Sequence, residues 1–398
     1  MTDIHSMKKY EQYKRLILRE FYYTNILSAT ELSERIGKSL PLIIRTVNNL
    51  VKENILQESG YAPSSGGRRP IIYTINKKAL YILSVSMDQL VTRVSLMDLE
   101  NRHITGIEKF ELPLKDNPDV LQNLSRKLLE VVKRSGVSKS KIAGIGIGMP
   151  GFIDVEKGMN YSFPMQDGSG QTIVEYLSEA TRLPVYIDND SSVIALAEYR
   201  FGNAQQKNNS MVINIGWGVG LGMILNGQLF RGNNGFAGEF SHLPLFNNNK
   251  LCSCGKSGCL ETETSLLVLL EKAAAGVKAG KTTALPKHFP DGDIEKDCER
   301  IMQAAAKGDK FCVELLAAIG YNIGRGIAIL IHLLNPQSVI LSGRGSLAGK
   351  LWMAPVQQAL NEHCIPRLAD NTAVEVSQLG YEAELIGSAA LVMENYVN

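Results

Sequence analysis

Three cysteines and one histidine form the clearest chemical cluster in the sequence. Cys252, Cys254 and Cys259 fall within eight residues that include two glycines, and His242 precedes the first cysteine by ten residues. Three thiolates and one imidazole are a ligand set that tetrahedral Zn²⁺ accepts. Four protein ligands leave no position for a catalytic water, so the sequence predicts a structural zinc. The alternative is a group of buried free cysteines, which this spacing disfavours.

Upstream of this cluster, the first 75 residues contain three helical patterns. Apolar residues at helical spacing predict a first helix over Lys8–Tyr23. A capping box of Ser28 and Glu31 begins a short second helix, and Gly37 ends it. Ser39 is predicted to cap the third helix. Two helices joined by a tight glycine-containing turn indicate a helix-turn-helix.

The second helix of such a unit enters the major groove of DNA, and its early exposed residues face the base edges. Arg45 suits guanine or phosphate, and Asn48 suits adenine. Leu40 and Ile44 are apolar on a face that should be wet, which fits contact with thymine methyl groups. The candidate DNA-contacting residues of this helix are Lys38, Ser39, Leu40, Pro41, Ile44, Arg45 and Asn48.

A hairpin is predicted next, with its tip at residues 64–70 and its return strand at Ile71–Ile75. The tip carries Arg68 and Arg69 among glycines, a composition that suits phosphate or minor-groove contact. A solvated surface loop is the alternative. Its position directly behind a helix-turn-helix favours a DNA-binding wing.

The charge distribution agrees with a basic head on a separate body. Residues 1–75 carry eleven Lys/Arg and seven Asp/Glu, a net charge of +4, and the remainder carries 31 and 33, a net of −2. A phosphate-binding module would show this asymmetry, although +4 over 75 residues is small enough to arise by chance.

From Leu80 onward, short β-rich runs alternate with helices, which indicates an α/β architecture. Two similar halves suggest two lobes with a ligand cleft between them. The predicted strands are Ile82–Met87, Arg93–Asp98, Ile104–Leu112, Lys141–Met149, Leu183–Ile187, Met211–Ile215, Leu221–Leu225 and Ser338–Leu341. The predicted helices are Pro118–Arg134, Cys298–Lys307, Lys310–Leu334, Leu347–His363 and Ala383–Tyr396.

The run Gly235–His242 (GFAGEFSH), followed by the cysteine cluster and Glu261, resembles the signature of the ROK family of repressors, open reading frames and sugar kinases. The resemblance covers residues 76–398, and the winged helix with its GGRRP wing is similar to the repressor branch. It implies an actin-like ATPase fold of two lobes, resembling sugar kinases. It also implies that zinc is held by His242, Cys252, Cys254 and Cys259.

The same resemblance implies a sugar site. Asn189 and Asp190 match the family's Asn-Asp pair, whose aspartate is the catalytic base in kinases. Carboxylates suit sugar hydroxyls because each accepts several hydrogen bonds, and a glycine lets backbone approach a ligand. The candidate sugar-binding residues are Gly151, Asn189, Asp190, Glu239, His242 and Glu261. Ser162, Gln166 and Asp167 are expected nearby, and Ser192 and Ser241 depart from the family pattern.

The kinase machinery is expected to be lost. Family kinases begin with Asp-x-Gly-Gly-Thr, a turn that wraps ATP phosphates, whereas Ser86–Leu90 stands at that position here. Trp217 replaces a threonine in the second glycine turn. We therefore expect no ATP cofactor, no enzyme activity, and Asp190 as a vestigial base that only accepts hydrogen bonds.

The sequence thus predicts a sugar-responsive transcriptional repressor that binds an unphosphorylated sugar between the lobes. The alternative is an active ATP-dependent sugar kinase with an attached DNA-binding domain, and a weaker one is a sensor of another protein. Expected partners are operator DNA, a small sugar and a second copy of the chain in a homodimer or homotetramer. Without an apolar leader or a membrane-spanning run, we expect a cytoplasmic protein with reduced thiols.

The predicted domains are a winged helix-turn-helix at residues 1–75, a first lobe at 76–190 completed by a C-terminal helix at 381–398, and a second lobe with the zinc site at 191–380.

Overall fold

The structure is a computed structural model that describes residues 2–63, 69–165 and 170–397. The chain forms two compact units. The first unit contains Met1–Asn189 together with Ser388–Asn398, and the second contains Asp190–Gly387.

The first unit begins with a winged helix-turn-helix. Its elements are α1 (Thr2–Thr24), β1 (Ile26–Ser28), α2 (Ala29–Ile36), α3 (Leu40–Lys52), β2 (Leu56–Tyr61) and β3 (Ile71–Ile75). The three strands pair antiparallel in the order β1-β3-β2. The three predicted helices and the return strand of the predicted hairpin are therefore present.

The predicted capping box is present at the start of α2. The Ser28 hydroxyl accepts a hydrogen bond from Glu31 N, the Glu31 carboxylate accepts one from Ser28 N, and Gly37 ends the helix in the left-handed conformation. The prediction for α3 was wrong in one respect. Ser39 occupies the N-cap position, but its side chain makes no capping bond.

The apolar face of α3 is buried, with Ile43, Val47 and Leu50 fully inaccessible. Val51, the residue after Leu50, is only half-buried. Thr46 is buried instead, because its hydroxyl donates to Leu42 O at 2.9 Å and so satisfies its polar atom within the helix.

The last turns of α1 pack within the same unit against the body. The buried Tyr22 hydroxyl donates to Asn101 Oδ1 at 2.5 Å, and Tyr23 donates to Ala390 O at 3.3 Å. The Arg15 guanidinium lies 5.4 Å from the centre of the Tyr396 ring. Burial raises the pKa of Tyr22, so its phenol remains a neutral donor. The winged helix is thus bonded to the body.

The remainder of the first unit is an α/β layer. Its elements are β4 (Tyr81–Met87), β5 (Val91–Asp98), β6 (Glu108–Glu111), α4 (Val120–Ser135), β7 (Ile142–Met149), β8 (Ile153–Asp154), β9 (Met159–Asn160), α5 (Ile173–Thr181) and β10 (Val185–Asn189). The main sheet has the order β10-β7-β4-β5-β6, in which the first two pairings are parallel and the last two antiparallel.

The second unit repeats this topology. Its elements are α6 (Asp190–Phe201), β11 (Ser210–Ile215), β12 (Val219–Leu225), β13 (Gln228–Leu229), α7 (Glu261–Thr264), α8 (Leu266–Lys278), α9 (Ile294–Ala306), α10 (Lys310–Leu334), β14 (Ser338–Ser342), α11 (Met353–His363), α12 (Pro366–Ala369), β15 (Ala373–Val376) and α13 (Ala383–Asn395), whose last residues belong to the first unit. The order β15-β14-β11-β12-β13 again has two parallel and then two antiparallel pairings. The prediction of two similar α/β halves is confirmed.

Several predicted boundaries differ from the structure. The helix expected from Leu347 begins at Met353, because Gly349 breaks the preceding 3₁₀ segment, Arg344–Trp352, with non-helical backbone angles. The strand expected at Ile104–Leu112 is reduced to β6. α9 begins at Ile294, four residues earlier than predicted, because Asp293 caps it by accepting from Lys296 N.

One helix, α10, is long and apolar enough to cross a membrane by length and composition alone. Many of its residues are buried in the core of the second unit, including Ile319, Ile323 and Ile327. Burial of this kind is typical of the central helix of a folded domain.

Removing the Ser28 hydroxyl tests the capping box. Losing an N-cap costs about 1 kcal/mol, so Ser28→Ala is expected to speed the exchange of α2 backbone amides roughly fivefold in native-state hydrogen exchange. Ser39→Ala is the matched control, since that serine makes no side-chain cap. If Ser28→Ala speeds exchange in α2 no more than Ser39→Ala speeds it in α3, the capping box does not stabilise α2.

Candidate metal centre and ligand site

The four predicted zinc ligands come together in the second unit. His242 ends a 3₁₀ turn over Phe240–His242, Cys252 and Cys259 are buried, and Cys254 is exposed. Their ligand atoms all lie within 4.8 Å of one another. The loop is folded on itself, since Cys252 N donates to Lys256 O at 2.8 Å.

The spacing within the cluster fits a tetrahedral zinc. The Cys252 Sγ to His242 Nδ1 distance is 3.5 Å, and the Cys254 Sγ to Cys259 Sγ distance is 3.6 Å. Zn–S bonds of about 2.3 Å and Zn–N bonds of about 2.0 Å give tetrahedral edges of about 3.5 to 3.8 Å. Burial, followed by the neighbouring thiols of Cys254 and Cys252, raises the pKa of Cys259 to about 12. A bound cation would therefore displace a proton from this cysteine.

Two candidate sugar ligands adjoin this cluster. His242 Nε2 lies 3.5 Å from Glu239 Oε2, so the ring has one nitrogen beside the thiols and the other beside a carboxylate. Glu261 Oε1 accepts from Ser253 Oγ at 3.4 Å, and its Oε2 accepts from Val219 N at 3.3 Å. Desolvation raises the pKa of the Glu239 carboxyl, His242 opposes the rise, and Glu261 adds to it. The loop that carries the cluster therefore contacts two neighbouring carboxylates.

Asp190, at the first position of α6, is held by its surroundings in the second unit. Its Oδ1 accepts from Ser191 N at 2.7 Å and Ser191 Oγ at 3.2 Å, and its Oδ2 accepts from Asn214 Nδ2 at 3.3 Å. Asn214 was not predicted as a site residue. Its signal in the sequence was an amide within the otherwise apolar strand β11.

Asn189 and Gly151 meet in the first unit, where Asn189 Nδ2 donates to Gly151 O at 3.2 Å. A Cβ on Gly151 would lie 2.6 Å from Ser162 Cβ, so packing explains this glycine independently of any ligand. Asn160, which was also missed, holds the loop because its Oδ1 accepts from Ser162 N and Phe163 N at 3.0 Å. Gln166 and Asp167 lie outside the described residues.

The candidate DNA-contacting residues share the outer face of the helix-turn-helix. Those on the turn and α3 are all exposed, including the apolar Leu40 (37%) and Ile44 (41%). Residues three and four apart on a helix project from one side. In the wing, Arg69 is exposed, whereas Arg68 lies outside the described residues.

The segment Ser86–Leu90, expected at the position of the first phosphate turn of family kinases, has a different structure from a glycine loop. Asp88 Oδ1 accepts from Leu90 N and Val91 N at 2.8 and 2.7 Å, which occupies backbone donors of the turn. Ser86 Oγ accepts from the guanidinium of Arg93, a residue only 4% exposed. A buried cation thus lies beside Ser86.

The second glycine turn packs against Glu261, a candidate sugar ligand, and against Ser191. A Cβ on Gly218 would lie 2.6 Å from Glu261 Oε2, and one on Gly220 would overlap Ser191 Oγ. Close approach to these side chains therefore accounts for the retained glycines without a nucleotide.

The N-terminal helices and three-stranded sheet are followed by two five-stranded sheets that share one topology. Together they define a helix-turn-helix protein with an actin-like, sugar-kinase-like body. The chain belongs to the ROK family, which matches residues 89–395. This confirms the resemblance seen in the sequence.

Full-length relatives include a xylose repressor from Caldicellulosiruptor bescii, 29% identical over 97% of this chain and 96% of its own. A glucokinase from Halalkalibacterium halodurans is 32% identical over 72% of this chain and 88% of its own. A solved structure, described as a ROK family transcriptional regulator homologous to the E. coli MLC protein, has a TM-score of 0.78 and 25% identity over 97% of each chain.

The metal centre is tested by elemental analysis. Purified protein is expected to contain about one zinc per chain, and Cys259→Ser is expected to lose the metal and melt at lower temperature. Cys298→Ser is the matched control, since Cys298 is buried outside the cluster. Full zinc content in Cys259→Ser, or none in the unaltered protein, would contradict the assignment.

Proposed function

We propose that this chain is a sugar-responsive transcriptional repressor that binds operator DNA through its winged helix. One observation carries the proposal: α3 fully buries Ile43, Val47 and Leu50 on one face, and all of its own candidate DNA-contacting residues are exposed. The likeness to a xylose repressor over 97% of this chain supports it, whereas the glucokinase likeness covers 72%.

The proposed sugar ligands are Asp190, Glu239, His242 and Glu261 of the second unit, with Asn189 and Gly151 of the first. Hydroxyl groups of an unphosphorylated sugar donate to the carboxylates, and the amide of Asn189 can both donate and accept. The bonds from Ser191 and Asn214 hold the Asp190 carboxylate in place. Asp190 then acts as a fixed acceptor.

Zinc bound by His242, Cys252, Cys254 and Cys259 would supply a rigid crosslink, since four protein ligands complete its coordination. The crosslink would orient Glu239 through His242, as partner carboxylates commonly pair with metal-bound histidines. It would also hold Glu261 through Ser253, whose hydroxyl donates to that carboxylate.

We further propose that the chain binds no ATP. The bonds made by Asp88, the guanidinium of Arg93 beside Ser86, and the indole of Trp217 support this. An active sugar kinase with an attached DNA-binding domain is the second candidate, and the 32% identity to a glucokinase favours it.

A two-fold operator would call for two winged helices, so we propose a homodimer or homotetramer.

Incubation with ATP, Mg²⁺ and a sugar panel separates the two candidates. With glucose, N-acetylglucosamine, N-acetylmannosamine and xylose, we expect no sugar phosphate above the protein-free control, and at least one sugar should raise the melting temperature. Asp190→Asn is expected to abolish that rise, because an amide cannot replace both acceptor oxygens. Repeated turnover of any sugar would overturn the repressor proposal in favour of the kinase.

DNA binding is tested with duplexes selected by the protein from a random-sequence library. Arg45→Ala is expected to weaken binding by about 1–3 kcal/mol, roughly 5- to 150-fold, if it pairs with a guanine. Arg35→Ala is the matched control, because Arg35 is an exposed arginine of α2 that bonds to Thr24. Equal effects of the two changes would argue against α3 as the reading helix.

A further inference from the structure

A stacked arginine lies beside the second glycine turn. The Arg344 guanidinium carbon is 4.5 Å from the centre of the Trp217 ring and 4.1 Å from that of Tyr381. The guanidinium also donates to Glu295 Oε1 at 2.7 Å, and only 11% of the Arg344 side chain is exposed. A planar cation contacting two rings and bonded to a carboxylate has little freedom to rotate.

Trp217 connects this stack to Glu261. The indole belongs to the turn that Gly216 N closes by donating to Gly218 O at 2.9 Å. Val219, the next residue, donates from its backbone to Glu261 Oε2. A sugar that moves the Glu261 carboxylate therefore acts on the turn that carries Trp217.

The loop of Arg344 also touches the support of Asp190. A Cβ on Gly343 would overlap Asn214 Oδ1, so the backbone of this loop lies against the amide that bonds Asp190. Two residues after Gly343, a Cβ on Gly345 would lie 2.5 Å from Ile215 Cγ2. Asp190 and Glu261, two of the three candidate sugar carboxylates, thus have short contact routes to Arg344 or its loop.

Tyr381, the second ring, lies in the 3₁₀ turn Gly380–Glu382, directly before α13. The chain passes from the second unit to the first within α13, between Gly387 and Ser388. In the first unit, the end of this helix bonds to α1 of the winged helix: Ala390 O accepts from Tyr23, and Tyr396 contacts Arg15. The segment after Tyr381 therefore ends on the DNA-reading domain.

We propose that Arg344 is a positioning residue that transmits sugar binding at Asp190 and Glu261 to α13, and through α13 to the winged helix. This rests on the proposed sugar-responsive function. The contacts of Arg344 described above are to Trp217, Tyr381 and Glu295, which are neither candidate sugar ligands nor candidate DNA-contacting residues. Its removal should uncouple the two activities and leave each in place.

The experiment uses the full chain, the library-selected duplex, and whichever of glucose, N-acetylglucosamine, N-acetylmannosamine or xylose raises the melting temperature. The measured quantity is the ratio of DNA dissociation constants with and without that sugar. We expect a ratio that differs from one by about 5- to 150-fold in the unaltered protein. In Arg344→Met the ratio should fall to within about twofold of one, while the sugar dissociation constant stays within about threefold.

Two further variants separate transmission from general damage. Arg344→Lys keeps the charge but loses the planar stacking surface, so it should also uncouple the sites. Arg200→Met is the matched control: Arg200 lies 5.1 Å from the Tyr199 ring beside it in α6, so that contact joins no second element. It should retain full coupling. Hydrogen exchange of α13 amides should respond to sugar in the unaltered protein and in Arg200→Met only.

Full coupling in both Arg344 variants, with the α13 response intact, would overturn the relay and leave the repressor proposal standing. Loss of zinc or of sugar affinity in those variants would also overturn it, because Arg344 would then support the site itself. If no sugar changes DNA affinity in the unaltered protein, the sugar-responsive function fails, and the relay fails with it.

Discussion

Zinc at the Cys₃His cluster is the constraint on which the proposed ligand residues of the second unit would depend. Between β13 and α7, regular structure in the described chain is limited to the 3₁₀ turn Phe240–His242 and the isolated bridges Pro244–Cys259 and Leu251–Ser257. Ordering such a segment costs conformational entropy that packing alone repays poorly. Glu239 stands three residues before the histidine and Glu261 two residues after the last cysteine. A single ion would therefore fix the stretch from His242 to Cys259 and, next to it, both carboxylates.

The turns at Ser86–Leu90 and Gly216–Gly220 differ for physical reasons. In the second turn, a side chain at Gly218 or Gly220 would collide with Glu261 or Ser191, so packing alone calls for glycine there. The first turn contains no glycine, and Asp88 bonds its backbone donors. The proposed loss of ATP binding and the proposed survival of sugar binding thus follow from which turn adjoins the carboxylates.

Local signals in the sequence were sufficient for much of the fold. The capping box at Ser28, the glycine stop at Gly37 and the cysteine spacing each act over a few residues, and each is present as predicted. The errors were also local: Ser39 lacks a capping bond, and Gly349 delays the start of α11. At Gly349 the conformational freedom of glycine permits the positive φ that interrupts the 3₁₀ segment.

Residues that act across long sequence separations were not predictable in this way. Asn214 supports Asp190 from a neighbouring strand, and Arg344 meets Trp217 and Tyr381 only after the second sheet has formed. Nothing in the composition near Arg344 distinguishes it from a solvated arginine. Only the fold reveals that two rings and Glu295 enclose it.

The stacking of Arg344 matters because Tyr381, one of its two rings, directly precedes a helix in which the chain passes between the units. The chain passes from one unit to the other twice in the described structure, between Asn189 and Asp190 and within α13. The first crossing is the Asn-Asp pair proposed to hold the sugar, and the second follows the ring stacked on Arg344. A ligand shifts a conformational equilibrium only by its different affinity for the two states. A sugar held at the first crossing, and coupled through Asn214 and Arg344 to α13, would act at both points where the chain passes between the units.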